Sequence, residues 1–291
     1  MLVLITGAGG MLGITLSLAL ESNGHKVIRI SKNSGVGLVC DLIDLQQTRT
    51  MLQKIRPEVI INLAAMTDVD GCQIFPHQAY LHNVRIVENL VNHIRTCDNP
   101  PFLIQMSSDQ VYDSRGPSKE GDERLSNVYS FSKYAGEIVA SKVPAMIIRT
   151  NFFGYSKLKN RDSFSDWIIK ALLGKNKIKV FDDVIFNPLN MDTLSNLTIH
   201  ALQQKISGIF NLGSINPISK SDFSFEVANT LGLSTFNLER ASVLDLNLSA
   251  YRPSDMSMDC QKFMTTFGVQ LPCVTQEIAK LKGLFDAHHQ S

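Results

Sequence analysis

A doubly wound α/β fold built on a parallel sheet is predicted by three features of the chain. Over the first 150 residues, short runs rich in Val, Ile, Leu and Phe alternate with longer stretches of helical periodicity. Those short runs lack a strict apolar–polar alternation, as expected of strands covered by helices on both faces. The first of them leads straight into a glycine-rich turn, Gly7-Ala8-Gly9-Gly10, that opens a helical pattern.

The predicted strands cover 2–6, 26–30, 37–40, 58–63, 102–107 and 145–149. Between them, a helix over 11–23 ends at Gly24, a natural stop. A second, over 76–96, places Ala79, Val84, Val87, Leu90, Val91 and Ile94 at helical spacing. After Thr150 come a polar loop, a helix over 162–173 holding the single tryptophan, and a short strand at 178–181. The stretches 191–203 and 208–213 read as a return to the first domain. Short helices, a loop around Tyr251-Arg252-Pro253 and a helix near 275–285 follow, with no internal repeat or low-complexity linker. The expected division is a Rossmann domain of 1–151 and 190–213 and a smaller α+β substrate domain of 152–189 and 214–291.

Bulk composition narrows the function classes. With 291 residues, 44% of them hydrophobic and 19% charged, the chain can bury a sizeable core. Its formal charge of +1 and a lone basic cluster, Lys157, Lys159 and Arg161, read as a solvated loop, argue against nucleic acid or a membrane surface as partner. No apolar run reaches the roughly 18 residues of a membrane span, and the opening Met-Leu-Val-Leu-Ile reads as a strand, not a signal peptide. Five widely spaced cysteines without a C-x-x-C pair fit reduced thiols in a cytoplasmic protein. No histidines, cysteines and carboxylates share metal-ligand spacing, so no metal site is expected.

Gly7, Gly10 and Gly13 form a G-x-x-G-x-x-G turn between the first strand and its helix. Such glycines permit a tight turn and close backbone approach to a pyrophosphate, while Met11, Leu12 and Gly13 open a helix whose free N–H groups suit an anion. At the end of the second strand, where NAD-selective sites carry a carboxylate for the ribose 2′-hydroxyl, the chain has Ser31 and Lys32. A hydroxyl and an ammonium suit a 2′-phosphate, so NADP(H) is favoured, with NAD(H) as the alternative. Asp41 and Leu42, closing the third strand, are placed at the adenine, and Ala64 and Ala65, after the fourth, let the cofactor lie against the sheet edge.

The fifth strand runs into Ser107-Ser108-Asp109-Gln110-Val111-Tyr112, and a later helix carries Tyr129 and Lys133 one turn apart on one face. An ammonium beside a phenol is expected to lower the phenol's pKa toward the working range and make Tyr129 a proton donor. Ser108 can hydrogen-bond an oxygen on which charge develops. The pairing acquires meaning from its position behind a dinucleotide turn and a serine-bearing strand end.

At these residues the sequence resembles the extended short-chain dehydrogenase/reductase superfamily and, within it, the dTDP-4-dehydrorhamnose reductase family. The S-T-D-x-V-F/Y block of that family is similar to Ser107-Ser108-Asp109-Gln110-Val111-Tyr112, with serine in place of threonine. Its Y-x-x-S-K-x-x-G-E block is matched by Tyr129, Ser132, Lys133, Gly136 and Glu137, and its A-A-x-T-x-V-D block by Ala64 to Asp70 with Thr67 at the threonine. Asn83, Ile148-Arg149-Thr150, Arg252-Pro253 and Phe267-Gly268 extend the likeness over nearly the whole chain. Departures fall in substrate-facing regions: Gly71-Cys72-Gln73 stands where an acidic residue is usual, Asn151-Phe152-Phe153 where a tryptophan often follows the strand, and Asp182 to Leu189 replaces a glutamine-containing loop.

The resemblance implies an oxidoreductase that reduces a nucleotide-linked 4-keto-6-deoxysugar for surface polysaccharide synthesis. It assigns catalysis to Ser108, Tyr129 and Lys133, adds Asn83 and the ribose-holding Lys133 to the cofactor contacts, and points to Thr67, Asp109, Asn151, Phe152, Asn187 and Arg252 as substrate contacts. A cytoplasmic location and a homodimer are the accompanying expectations. The rivals are a nucleotide-sugar epimerase or dehydratase with a similar triad and a non-catalytic NADP-binding regulatory subunit, whose sign would be loss of the triad.

Overall fold

The computed structural model describes residues 1–32, 35–158 and 161–289, so Lys159 of the basic cluster lies outside the described residues. Seven parallel strands form the central sheet: Leu2–Thr6 (β1), Lys26–Ser31 (β2), Leu38–Val39 (β3), Val59–Asn62 (β4), Phe102–Met106 (β5), Ala145–Thr150 (β6) and Gly208–Leu212 (β7). Their order, β7-β6-β5-β4-β1-β2-β3, reverses direction at β1. That reversal splays the loops after β1 and β4 apart and opens a crevice at the carboxyl ends of the strands.

The pleat sorts apolar side chains onto two faces. Val3, Ile5, Ile61, Ile104 and Ile148 point into one core, whereas Leu4, Ile60, Leu103 and Ile147 point into the other. The helices, in chain order, are Met11–Ser22 (α1), Leu45–Ile55 (α2), Val69–Ile74 (α3), Pro76–Tyr80 (α4), Ile86–Ile94 (α5), Val128–Ala140 (α6), Phe164–Leu173 (α7), Met191–Leu202 (α8), Lys220–Leu231 (α9), Gln261–Phe267 (α10) and Val274–His289 (α11). Residues of α1, α8 and α10 cover the first face, and residues of α2, α5 and α6 the second. No helix among the described residues is long and apolar enough to cross a membrane. All five cysteines are free.

A separate core gathers Phe153, Ile168, Phe186, Phe223, Val227 and Ile278 from α7, α9, α11 and the segments between them. Phe153 and Phe223 meet edge-on at 4.8 Å, and Leu238–Ala241 pairs in parallel with Ile178–Phe181. The stretch expected to belong wholly to this second body, 214–291, is divided by the packing. Met258, Cys260, Phe263, Phe267 and Leu271 join the first core, with the Phe267 ring 5.1 Å from that of Phe210 on β7. The exposed flank of the last sheet strand has apolar surface to cover, and α10 covers it.

Two further differences from the predicted elements have physical causes. The helix α2 has no counterpart in the expected element list, although Asp44 caps it by accepting from the Gln47 N–H at 2.9 Å. The helix expected over 76–96 is interrupted by a π-helical turn, Leu81–Arg85. This wider turn carries Asn83, whose amide accepts from Met66 N at 2.8 Å and donates to Met66 O at 3.0 Å and to Ser132 Oγ at 2.8 Å. It thereby ties the loop after β4 to α6, a local irregularity of the kind π turns commonly supply near functional sites.

Arg149 on β6 is wholly buried and joins five elements or loops. Its guanidinium donates to Glu137 on α6 at 2.6 Å and to Tyr112 Oη at 2.6 Å, and pairs with Glu123 at 2.5 Å. Tyr112 Oη in turn donates to Asn211 Oδ1 on β7 at 2.8 Å, and Ser107 Oγ donates to Glu137 Oε1. A buried charge left without its partner costs far more than the pair contributes. Glu137→Ala should therefore destabilise the fold by about 3–5 kcal/mol in urea denaturation; a loss below about 1 kcal/mol would show that Arg149 is held by its other partners alone.

Candidate active site

The crevice at the sheet's carboxyl edge is continuous from the glycine turn to α6. Gly7, Gly10, Met11, Leu12 and Gly13 line its centre, and Ser108, Asp109, Tyr129 and Lys133 line one arm. Ser31, Lys32, Asp41, Leu42, Ala64 and Ala65 line the other. A Cβ on Gly13 would stand 2.5 Å from Gly7 O, so only glycine lets α1 pack this close to the turn. The floor is braced by a buried polar chain across three strands: Thr6 Oγ1 donates to Asn62 Oδ1 at 2.5 Å, and Asn62 Nδ2 donates to Gln105 Oε1 at 2.7 Å. Every amide and hydroxyl in that chain has a partner, which holds the strand ends in one arrangement.

Helix α6 delivers the phenol and the ammonium. Asn127 caps it by accepting from Ser130 N at 2.8 Å, and Ser130 Oγ accepts from Asn127 N at 3.2 Å. Gly136 allows its approach to the π turn, because a Cβ there would stand 2.4 Å from Asn83 O. Tyr129 is buried against Cys72 and Ala79. Lys133 Nζ donates to Met106 O at 2.8 Å, at the end of β5. Ser108 Oγ accepts from Gln110 N at 3.2 Å and donates to Asp109 Oδ1 at 3.1 Å.

The electrostatics depart from the expected tuning of Tyr129 by Lys133. Burial is the largest influence on the Tyr129 phenol and raises its pKa above the ordinary tyrosine value, with the Ser108 hydroxyl acting in the opposite sense. Burial also dominates at Lys133, lowering its pKa to about 8 against the opposing pull of Glu137. Desolvation by burial is thus the largest influence on both groups in the crevice. The phenol is protonated through the neutral range, as an ordinary tyrosine is, and burial in the crevice makes it a weaker acid than the expected tuning by Lys133 would.

Asp109 is 1% exposed and its pKa is raised to about 6 by burial, against the lowering effects of Asn151, Lys220 and Ser108. Asn151 Nδ2 donates to Asp109 Oδ2 at 2.7 Å. Lys220, at the start of α9, faces this carboxylate from the second body, its ammonium 5.4 Å from the Phe164 ring centre and 6.0 Å from that of Phe186.

Not every expected contact reaches the crevice. Thr67, Asn151 and Phe152 line it beside Asp109. Asn83 stands behind it, its amide fully engaged with Met66 and Ser132. Asn187 is buried and saturated: Nδ2 donates to Ser214 O at 2.8 Å and Met258 O at 3.0 Å, and Oδ1 accepts from Met258 N at 3.0 Å. Arg252 pairs with Asp70 at 2.5 Å and donates to Ala250 O at 2.8 Å, closing its own loop against α3. Contrary to expectation, none of these three lines the crevice, and each engages partners within the protein instead: Asn83 with Met66 and Ser132, Asn187 with Ser214 and Met258, and Arg252 with Asp70 and Ala250. Asp182 and Asp183 are also structural, the first paired with Arg240 at 2.5 Å and the second accepting from Val243 N at 2.8 Å.

Sequence reasoning missed Arg161 and Lys220. Arg161, read as part of a solvated loop, lines the crevice and donates to Thr67 Oγ1 at 2.8 Å. Lys220 follows an ordinary serine cap, and nothing in its neighbours along the chain announces Asp109. Both come from the second body, whose placement over the sheet edge is not encoded in local pattern.

A glycine turn at the switch of a parallel sheet, with serine, tyrosine and lysine converging on the same crevice, defines an oxidoreductase of the extended short-chain dehydrogenase/reductase class on an NAD(P)-binding Rossmann fold. A family model described as the RmlD substrate binding domain matches residues 1–283, and the chain belongs to this dTDP-4-dehydrorhamnose reductase family. It is similar to a probable low-salt glycan biosynthesis reductase of Haloferax volcanii, with 27% identity over 98% of both chains. A dTDP-4-dehydrorhamnose reductase of Shigella flexneri is 26% identical over 93% of both chains. The crystal structure of a hypothetical dTDP-4-dehydrorhamnose reductase from Sulfolobus tokodaii superposes with a TM-score of 0.84 at 30% identity, over 94% of this chain and 97% of that one.

The buried carboxylate yields a test. Asp109 titrates near 6 in the fold against an ordinary value of 3.8, so its stabilising protonated form is complete below 3.8 and is lost as pH rises through 6. Asp109→Asn, which stays neutral, should melt at a higher temperature than the parent at about pH 7.5, with the gap closing toward about pH 4. A gap that is absent, or that does not vary with pH, would contradict the burial of a costly charge.

Proposed function

We propose that the chain reduces the keto group of a nucleotide-linked 4-keto-6-deoxysugar and prefers NADPH as its reductant. The observation that carries the reading is the convergence of Ser108, Tyr129 and Lys133 on the crevice that the glycine turn also lines. The dinucleotide would be held by the glycine turn, Ser31, Lys32 and Lys133, and when bound it supplies a hydride to the carbonyl carbon.

The chain's own residues do the rest. Tyr129, protonated through the neutral range, donates a proton to the carbonyl oxygen as negative charge develops there. Ser108 can turn its hydroxyl from Asp109 to the same oxygen, so the developing charge meets two donors. Lys133 sits one helical turn from Tyr129 and lines the same arm, which supports a role for its ammonium in holding the nicotinamide ribose. Asp109 and Asn151, already bonded to each other, offer a hydroxyl-binding pair beside the reacting carbon. Phe152 adds an aromatic face, and closure of the second body over this edge puts the remote part of a large substrate to use in orienting the reacting part.

The NADPH preference is supported by Ser31 and Lys32 at the adenosine arm. The carboxylate nearest in sequence, Asp41, accepts from Ile43 N at 3.1 Å and caps its own turn. An ammonium favours a 2′-phosphate that a carboxylate would repel.

Oxidation of NADPH with a panel of nucleotide-linked 4-keto sugars and their free counterparts tests the substrate class. Turnover on a linked sugar is expected, and comparable kcat/KM on the free sugar would refute the role given to the second body. In the same assay Tyr129→Phe should lower kcat by about 100-fold or more with little change in cofactor affinity. Retention of most activity would move the proton donor elsewhere, to Asp109 first. Lys32→Glu should narrow or invert the NADPH preference in equilibrium binding, and equal affinity of the parent for both dinucleotides would remove the basis for it.

A further inference from the structure

The two arms of the crevice share few residues, and those few mark a point. Gly7, Gly10, Leu63, Ala65 and Arg161 line both arms. Four of them belong to the loops after β1 and β4, at the reversal of strand order. The fifth, Arg161, comes from the second body and faces the glycine turn from across the crevice.

We infer that Arg161 is a cofactor-binding residue, a guanidinium clamp on the dinucleotide's pyrophosphate supplied by the substrate-binding side of the molecule. The inference rests on the dinucleotide reading above and adds a ligand to it. The charge arrangement supports it. Among the described lining residues the lysine and arginine cations are Lys133 in the reaction arm, Lys32 in the adenosine arm, and Arg161 at their junction. A dinucleotide laid along the crevice carries its two bridging phosphates at its middle, where the opposite wall offers only backbone N–H groups and the start of α1. Helix α1 has no acidic residue in its first turn to compete for the guanidinium. Arginine presents two parallel N–H groups that match phosphate oxygens.

The stem of Arg161 is anchored. Ser163 caps α7 by accepting from Asp166 N at 3.1 Å, and Asp166 Oδ2 accepts from Ser163 N at 2.9 Å and from Ser156 N at 2.9 Å. Asp162 pairs with Lys170 at 2.6 Å. The side chain itself is exposed, and its guanidinium donates to Thr67 Oγ1. Thr67 lines the reaction arm, so the present contact already holds the guanidinium over the crevice. An exchange of one neutral hydroxyl for an anionic diphosphate is favourable, since hydrogen bonds between charged groups are the stronger kind.

Equilibrium titration of NADPH and NADH against the parent, Arg161→Ala and Arg161→Lys, read by cofactor fluorescence, tests the assignment without any turnover. Arg161→Ala should weaken both dinucleotides by about the same factor, roughly ten-fold or more, and Arg161→Lys should recover part of it. Adenosine 2′-monophosphate, which lacks the pyrophosphate, should bind Arg161→Ala and the parent alike. Unchanged affinity for both dinucleotides would overturn the clamp and leave the parent's dinucleotide binding intact. A loss confined to NADPH would overturn it by assigning Arg161 to the 2′-phosphate. A parent that binds neither dinucleotide would fail the underlying reading itself. Because Arg161 supports no core residue, the substitutions leave the fold standing, and a melting temperature equal to the parent's verifies this.

Discussion

The buried guanidinium of Arg149 is the constraint on which the reaction centre depends. It cannot be neutralised, so the chain around it must supply anions and acceptors at fixed positions. Glu137 answers from α6, Tyr112 from the turn after β5, and Glu123 from the loop before α6. Ser107 joins through the same Glu137 carboxylate. Ser107 precedes Ser108, and Glu137 follows Lys133 by one helical turn. The network therefore sets the height of α6 against the end of β5, and with it the spacing of serine, phenol and ammonium. A residue that does not line the crevice thus fixes how Ser108, Tyr129 and Lys133 are gathered in it.

A second tie acts at right angles to the first. Asn83 fastens the loop after β4 to α6 through Met66 and Ser132, and the missing side chain of Gly136 lets the helix approach Asn83 O. The regular helix expected there would turn Asn83 through a different angle, so the π turn is how the chain places one amide between two elements. With the Thr6–Asn62–Gln105 chain under the floor, the crevice is walled by polar contacts that are satisfied internally. The strand ends and α6 are thereby held in one arrangement beneath the crevice.

Dryness also explains why charge behaves here as it does. Burial raises the Tyr129 phenol and Asp109 and lowers Lys133, the direction of desolvation in every case. The second body contributes to this by bringing Phe152, Phe164 and Phe186 near the sheet edge, and it adds two cations, Lys220 toward Asp109 and Arg161 toward the glycine turn. The crevice is thus lined on one side by the strand ends and α6, with Ser108, Tyr129 and Lys133, and faced on the other by cations of the second body.

Much of this was legible in the residues. The strand and helix alternation, the glycine turn at 7–13, and the order serine, tyrosine, lysine are local patterns carried by spacing, and they predicted the class of fold and the groups gathered at the crevice, while the Ser31-Lys32 strand end left NADP(H) and NAD(H) both open. The substrate side was not legible in the same way. Asn187 and Arg252 have the right chemistry for a nucleotide, yet one is saturated by Ser214 and Met258 and the other is paired with Asp70, 182 residues away in sequence. Arg161 looked like a solvated cation and lies over the crevice. The same reason underlies both errors: a side chain's role on a strand end or a helix face follows from the period of its own element, whereas on a loop of the second body it follows from which distant partner reaches it first. The sequence alone determined what the sheet edge offers, and only the tertiary structure decided which polar groups of the second body are left over to face it.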